Sequence, residues 1–514
     1  MSHFQLNINR NERKRIIIIG AGIGGLCTGI RLQHAGFEVT IYEKNDFSGG
    51  CIRYITSDDE LFKIDESASL AINPLTYDKI FRDLGINPRK YFQYISLDNY
   101  YKVFTHSGKV FNLSINLVKT QEELKFLNNK EVEGYTKFIF DTSYKYLIAK
   151  ENILNRPFID SSNVYSFNTI KTLARLKVLN NADDYVKGYV ESKELQELIL
   201  FQTFFMGVSP YKIPSIYTSV AANSQIEGIS HIEGGLSAYV LALQKLFLEL
   251  GGKICFNSFI NKIVIKDKYA KGIIYEKELI PADKIVLNTD YINGQRNLLN
   301  RNIEDIKLIS NLKKNINNID LSCSTFIIHL GLSIKFKELE IHNLYLNKDF
   351  KIEIEKVFEG KLPKNPSIYI YYPSARDCSF CKNSNHSVMN IMVRVPNLKD
   401  LNISWEDTTK IKLYNLCIKI LEKALKRENL SSYILFQKIT TPKDFQENFN
   451  YYMGSCFGIG HTFFQSMVFR PQIKDKKIEN LYYVGASIHP GNGASIVMDC
   501  AKIVADRIII EKKM

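Results

Sequence analysis

No uncharged stretch of this sequence is long and unbroken enough to cross a bilayer. The most apolar candidate, Leu481 to Met498, is interrupted by His489-Pro490-Gly491-Asn492-Gly493. Any meeting with lipid is therefore expected along a surface rather than through it. A signal peptide is lacking too: Met1 to Arg15 is polar and basic, and the apolar run after it leads into glycines. The cysteines number nine, an odd count, which argues against a disulfide framework and for reduced thiols in a cytosolic setting. Internal repeats, low-complexity tracts and long linkers are missing, as is any nucleic-acid-binding motif. Cys378 and Cys381 form a single C-x-x-C with no second pair and no histidine at ligand spacing. A redox pair or half a zinc site is the chemical reading of it, an inert pair the plainer one, and no metal is expected.

What is present suits a globular chain: 514 residues, 45% hydrophobic and 24% charged, enough for two interleaved domains and too apolar for disorder. The formal charge of +13 comes from lysines spread along the chain. Such a balance serves solubility, or holds a protein against anionic headgroups.

The first chemical signal follows Arg15. Ile16 to Ile19 is a short β-branched run, suited to a strand buried on both faces. Gly20-Ala21-Gly22-Ile23-Gly24-Gly25 comes next, and Leu26 to Ala35 has helical spacing. This is G-x-G-x-x-G between a strand and a helix. Gly20 allows the tight turn, Gly22 lets a pyrophosphate approach the backbone, and Gly25 lets helix and strand pack closely. The free N–H groups of the helix start then bind phosphate. A second strand, Glu38 to Tyr42, ends at Glu43, about 20 residues past the turn, where an acid accepts hydrogen bonds from a ribose.

Further segments carry a resemblance. Ser48-Gly49-Gly50 follows the acid, and Phe62 to Leu70 (FKIDESASL) and Tyr77 to Gly85 come after it. Phe201 to Pro214 (FQTFFMGVSPYKIP), Glu227-Gly228, Glu233-Gly234-Gly235-Leu236 before a helix at Ala238 to Leu250, and Leu362 to Ser374 lie further on. The closing segment reads as a strand, Asn480 to Ala486, then Ser487-Ile488-His489-Pro490-Gly491-Asn492-Gly493, then a helix from Ala494 to about Ile510. Together these resemble bacterial carotenoid desaturases of the phytoene and diapophytoene type, within the amine-oxidase-like flavoproteins. The sequence departs from that pattern at Cys51, where the family has Arg, with Arg53 two residues on. It departs again at Ser67 for Gly, and at Ala494-Ser495 for Ile-Pro.

The resemblance implies an α/β fold: a discontinuous Rossmann-type FAD-binding domain (12–75, 225–295 and 475–514) and a mixed α+β substrate domain (76–224 and 296–474) with a helical membrane-associating region. The strand readings Lys253 to Ile265 and Ala282 to Asn288 fit the first, and the helical stretches Lys125 to Leu154 and Leu195 to Met206 fit the second. Aromatics in those stretches are ordinary core, or collectively a patch that dips into lipid. The implied FAD contacts are Gly20, Ala21, Gly22, Ile23, Gly24, Gly25, Glu43, Lys44, Gly49, Gly50, Arg53, Ile260, Gly485, Ala486, Gly493, Ser495 and Ile496. The implied activity is desaturation of a lipid-dissolved polyene at a membrane surface, with quinone or oxygen taking the electrons. A carotenoid oxidase, isomerase or polyprenoid saturase is the alternative on the same frame, and a flavin-binding protein without turnover lies outside it. No general base announces itself. Asp141 on the helical stretch 134–149 and His489 in the closing signature are candidates, against the plainer readings of a solvated helix face and a structural turn.

Overall fold

The computed structural model describes residues 14–67, 69–159, 162, 165–176, 178–299, 318–399 and 403–513. The lead 1–13 and Ala68 of the Phe62–Leu70 segment lie outside the described residues. The isoleucine run forms the strand Arg15–Ile19 at the middle of a five-stranded sheet. Its neighbours are Glu38–Tyr42 and then Lys253–Cys255 on one side, Lys284–Leu287 and then Leu481–Tyr483 on the other, all parallel. Ile18 pairs with Ile41 and with Val286. Ile16 to Ile19 are all buried, each contributing roughly 2 kcal/mol of transfer free energy, and this anchors the glycine turn that follows. Helices Ile23–His34, Gly235–Glu249 and Ala494–Lys513 share the same core, the first touching both others.

Of the expected Lys253–Ile265 strands, only Lys253–Cys255 joins this sheet. Ile263–Lys266 belongs to a separate antiparallel meander with Tyr269–Tyr275 and Glu278–Pro281, and the chain turns between the two at Asn257 with φ of 52°.

A seven-stranded mixed sheet makes the second layer system, in the order Ile434–Thr440, Ser324–Leu332, Ser387–Val395, Ile368–Tyr371, His342–Leu346, Asn99–Thr105, Val110–Ser114. Its only parallel pair is His342–Leu346 beside Asn99–Thr105. Both faces are covered. Phe326, Ile328 and Leu330 enter one core with Trp405 and the helix Asp407–Leu425. Ile327, Tyr369 and Met392 face the other way, into a core with helices Asn129–Ala149 and Lys193–Thr203. The helix Asn129–Ala149 passes into a π turn, Lys150–Leu154, and the helix Lys193–Thr203 into a 3-10 turn, Phe204–Met206.

Asp65 joins the two sheets. Its carboxylate accepts from Ser237 Oγ at 2.5 Å, on the helix Gly235–Glu249, and from Tyr371 Oη at 3.1 Å, on the large sheet. Its carbonyl accepts from Asn390 Nδ2 at 2.7 Å. A Cβ at Gly235 would collide with the carboxylate, so only glycine lets this helix start so close. Burial pushes the Asp65 carboxyl up to about 6, although the bonds from Ser237 and Tyr371 pull the other way.

The unfolded carboxyl titrates near 3.9, so the folded state holds the extra proton between about 4 and 6. The Asp65 contribution to stability is therefore full below that window and is lost as pH rises through about 6. Urea unfolding across this range is expected to show that slope. Asp65→Ala should flatten it and cost about 2–4 kcal/mol, because Ser237 and Tyr371 lose a buried acceptor.

Candidate functional site

All strands of the parallel sheet end at one edge, where Gly20, Glu43, Asn288 and Val484 lie. In open sheets of this kind ligands bind outside the carboxyl ends of the strands. Gly20 has φ of 102°, and its carbonyl accepts from Asn288 Nδ2 at 3.1 Å. Ala21 N–H donates to Glu43 Oε2 at 2.7 Å, so the acid at the end of the second strand holds the turn. Gly49 N–H donates to the Ala21 carbonyl at 2.9 Å, and Gly22 bridges Gly49, which seats the Gly-Gly pair on the turn. The helix Ile23–His34 has no side-chain cap, leaving its first N–H groups for an anion.

These elements open onto a cavity of about 530 Å³. Gly20, Gly22, Ile23 and Gly24 line it from the turn, with Glu43 and Lys44 from the second strand and Gly49 and Gly50 behind. Ile260 lines it from the middle of the chain. Gly485, Ala486, Gly493, Ser495 and Ile496 line it from the closing segment. The N-terminus of Ala494–Lys513 thus faces the same space as that of the first helix. Arg470, fully buried, donates to the carbonyls of Ile459 at 3.0 Å and Ala486 at 2.7 Å and fixes the closing loop.

Five expected residues stand elsewhere. Ala21 is behind the wall, its N–H held by Glu43. Gly25 packs beneath the turn, where a Cβ would collide with the Gly20 carbonyl. Arg53 pairs with Glu66 and lies over Phe47 and Phe449 at 4.8 and 5.0 Å, and Phe449 lines the cavity where Arg53 does not. His489 is buried against the carbonyls of Met467 at 3.0 Å and Ile153 at 3.1 Å, and burial pushes it down to about 4. That is a structural tie between the closing loop and the π turn. Asp141, part-buried, accepts from Tyr189 Oη at 3.0 Å away from the cavity wall.

The structure adds residues that sequence reasoning missed. Asn288, Thr289 and Asp290 line the cavity directly after Lys284–Leu287. A polar triplet closing a buried strand was the available signal. The rest of the wall is mostly apolar. The large sheet supplies Thr325, Ile327, Tyr369, Met392 and Arg394, which strand register brings onto one face: Thr325 opposite Arg394, Ile327 opposite Met392, Met392 opposite Tyr369. Leu154, Phe205, Ile216 and Met467 come from the helical layer. Two carboxyl groups, Glu227 and Asp499, also line it. Among the described residues no group of three or more His, Cys, Asp or Glu is placed to hold a metal ion.

A glycine turn, an uncapped helix start and a strand-end acid, with a second helix N-terminus and an apolar compartment on the same cavity, define a dinucleotide-binding protein with room for an oily ligand. The fit is physical: a Cβ at Gly20, Gly22 or Gly24 would collide with Asn288, and Asn492 Oδ1 is buried in the wall without a partner. Residues 23–509 match the model of the family described as flavin containing amine oxidoreductase. The chain belongs to that family, and a flavin in a dinucleotide cradle is FAD. It is 32% identical over 503 residues to a 4,4'-diapophytoene desaturase (4,4'-diaponeurosporene-forming) of Staphylococcus aureus strain COL, covering 96% of this chain and 98% of that one. Among solved structures, an oxidoreductase from Methanosarcina mazei has a TM-score of 0.65 at 14% identity, covering 96% of this chain and 100% of that one. Putrescine oxidase bound to putrescine has 0.61 at 12%, covering 97% and 99%. Those two show the fold alone.

Gly25→Ala places a Cβ against the Gly20 carbonyl, a strain of about 1–3 kcal/mol on the turn. The purified variant is expected to lose flavin occupancy roughly tenfold or more, read from flavin absorbance per protein, while its far-ultraviolet circular dichroism stays unchanged.

Proposed function

We propose that this chain is an FAD-dependent carotenoid desaturase that dehydrogenates a precursor of the phytoene or diapophytoene type, passes electrons to quinone or oxygen, and works from the cytoplasmic membrane surface. The observation that carries the reading is the single cavity: the dinucleotide cradle and an apolar compartment walled by the large sheet and the helical layer are one space. The near full-length likeness to a diapophytoene desaturase supports the substrate class. We take residues 12–75, 225–295 and 475–514 as the FAD unit and 76–224 and 296–474 as the substrate unit. When bound, FAD supplies the acceptor for a hydride.

The chain's own residues do the rest. The first helix start and Gly22 receive the pyrophosphate, and Glu43 the ribose. The N-terminus of Ala494–Lys513 offers partial positive charge to the cavity, where negative charge is then stabilised. Glu227 is our candidate proton acceptor: its Oε2 is buried without a hydrogen-bond partner, and the residue lines the cavity. Burial holds its carboxyl above the usual range; Lys150 lowers it and the nearby Asp499 raises it again. Neither Asp141 nor His489 reaches the cavity wall.

A lipid-docking face is supported by exposed apolar side chains on the helical layer. Phe140, Tyr144 and Leu147 form one stripe on Asn129–Ala149. Phe167 and Ile170 stand out from Phe167–Arg175 at 78% and 54% exposure. Arg175 donates to Tyr144 Oη at 2.7 Å and links the two, with Lys137 and Lys171 alongside. Exposed apolar side chains with lysines on the same helices suit anionic headgroups. No helix among the described residues is long and apolar enough to cross a membrane.

Co-expression with a phytoene or diapophytoene synthase should colour cells yellow to red; colourless cells holding flavin-loaded protein would end the desaturase reading. Glu227→Gln should lower turnover by about 10²–10⁴-fold with flavin content unchanged. A base must be ionised, so wild-type turnover is expected to fall on acidification at a higher pH than an ordinary glutamate sets, and the variant should lack that limb. In flotation with anionic vesicles, Phe167→Ser with Ile170→Ser should weaken binding, and high salt should weaken it in the wild type.

A further inference from the structure

On the cavity face of the large sheet Arg394 stands alone as a charged group among Thr325, Ile327, Tyr369 and Met392. Its guanidinium donates to Thr325 Oγ1 at 2.6 Å. It lies over the rings of Phe457 at 4.5 Å, Phe205 at 5.7 Å and Phe204 at 5.9 Å. The acid next to it is already engaged: Glu353, which lines a small adjoining cavity with Arg394, takes bonds from Lys356 at 2.5 Å and from the N–H groups of Lys364 at 2.5 Å and Asn365 at 2.9 Å. No carboxylate among the described residues forms an ion pair with Arg394.

A guanidinium carries five N–H donors, and here one is used. Arg394 lines both the main cavity and the small adjoining one, and none of its nitrogens is sealed from solvent without a partner. Stacking on rings recovers part of the cost of removing a cation from water, about 0.5–2 kcal/mol. A hydrocarbon in the compartment makes no use of those donors. A carboxylate would take them as a planar, two-point pair.

The geometry points to a second ligand class for this cavity: an elongated polyene ending in a carboxylate, its chain in the apolar compartment and its end group on Arg394. This rests on the reading that the cavity takes polyenes. It names the end group that the wall is built to recognise. Such a ligand is supplied by a reaction that oxidises the terminal carbon of the hydrocarbon. Arg394 is thus a specificity-determining residue, and no bond is made or broken on it.

The test uses flavin-loaded protein with all-trans-retinoic acid and its methyl ester, which share a chain and differ in charge. Binding is read from quenching of the intrinsic fluorescence. Wild type should bind the acid roughly tenfold or more tighter than the ester. Arg394→Met should bring acid and ester to the same affinity in flavin-loaded protein, and Arg394→Lys should keep part of the preference. Equal affinity for acid and ester in the wild type, or a preference that survives in Arg394→Met, would overturn the assignment and leave the polyene reading standing. Failure of both ligands to bind would bring down the polyene reading and the assignment together. Should Arg394→Met not fold, the wild-type ratio and Arg394→Lys decide alone: a lysine variant that binds both ligands as the wild type does refutes the paired geometry.

Discussion

One buried carboxylate ties the helix before the parallel sheet to the large sheet. Asp65 takes its donors from the helix Gly235–Glu249, which packs with the parallel sheet, and from Tyr371 on the large sheet. The cavity lies between the elements so joined, since its wall draws on both sheets. A hydrophobic contact alone would leave the two free to slide, because apolar burial is non-directional. Directed hydrogen bonds to Asp65 from Ser237, Tyr371 and Asn390 fix how the two meet beside the cavity.

A second constraint closes the ends of the chain on the same space. The strand Leu481–Tyr483 adds in parallel beside Lys284–Leu287, and Asn288 sits at the crossing. Its Nδ2 holds the Gly20 carbonyl, and its Oδ1 is 2.7 Å from where a Cβ on Gly24 would stand. One side chain therefore ties the opening turn to the strand edge and leaves space only for glycine. Arg470 does the corresponding work at the closing loop, where carbonyls of Ile459 and Ala486 would otherwise be buried with fewer donors.

Much of the dinucleotide cradle was legible in the sequence, because backbone geometry dictates it. Gly20, Gly22 and Glu43 stand where a turn, a close approach and a strand end require those residues. The other half of the cavity was not legible. The strands Ser324–Leu332 and Ser387–Val395 are buried on both faces, so alternation, the usual sign of which residues share a face, is erased. Thr325, Tyr369 and Arg394 meet only through register between segments far apart in the chain. Arg53 shows the opposite difficulty. A cation close behind the Gly-Gly pair reads as a phosphate partner, yet the buried Glu66, with side-chain exposure of 1%, captures it. A buried carboxylate draws cations to it, and Glu66 takes Lys438 at 3.3 Å as well as Arg53.

Charge in an apolar cavity has to be accounted for by something other than folding. Glu227 and Asp499 on one part of the wall and Arg394 on another do not pair with each other among the described residues. A fold selected for stability alone would place apolar groups at such positions, since well-packed apolar replacements of buried charges are often neutral or stabilising. The retained charges are also unlike in kind. The carboxyls sit where burial lifts both above the usual range, which suits taking a proton from a carbon acid. The guanidinium sits on rings with donors to spare, which suits holding an anion still. The one oily compartment thus carries carboxyl groups on one part of its wall and a guanidinium on another, a polarity that apolar packing alone does not require.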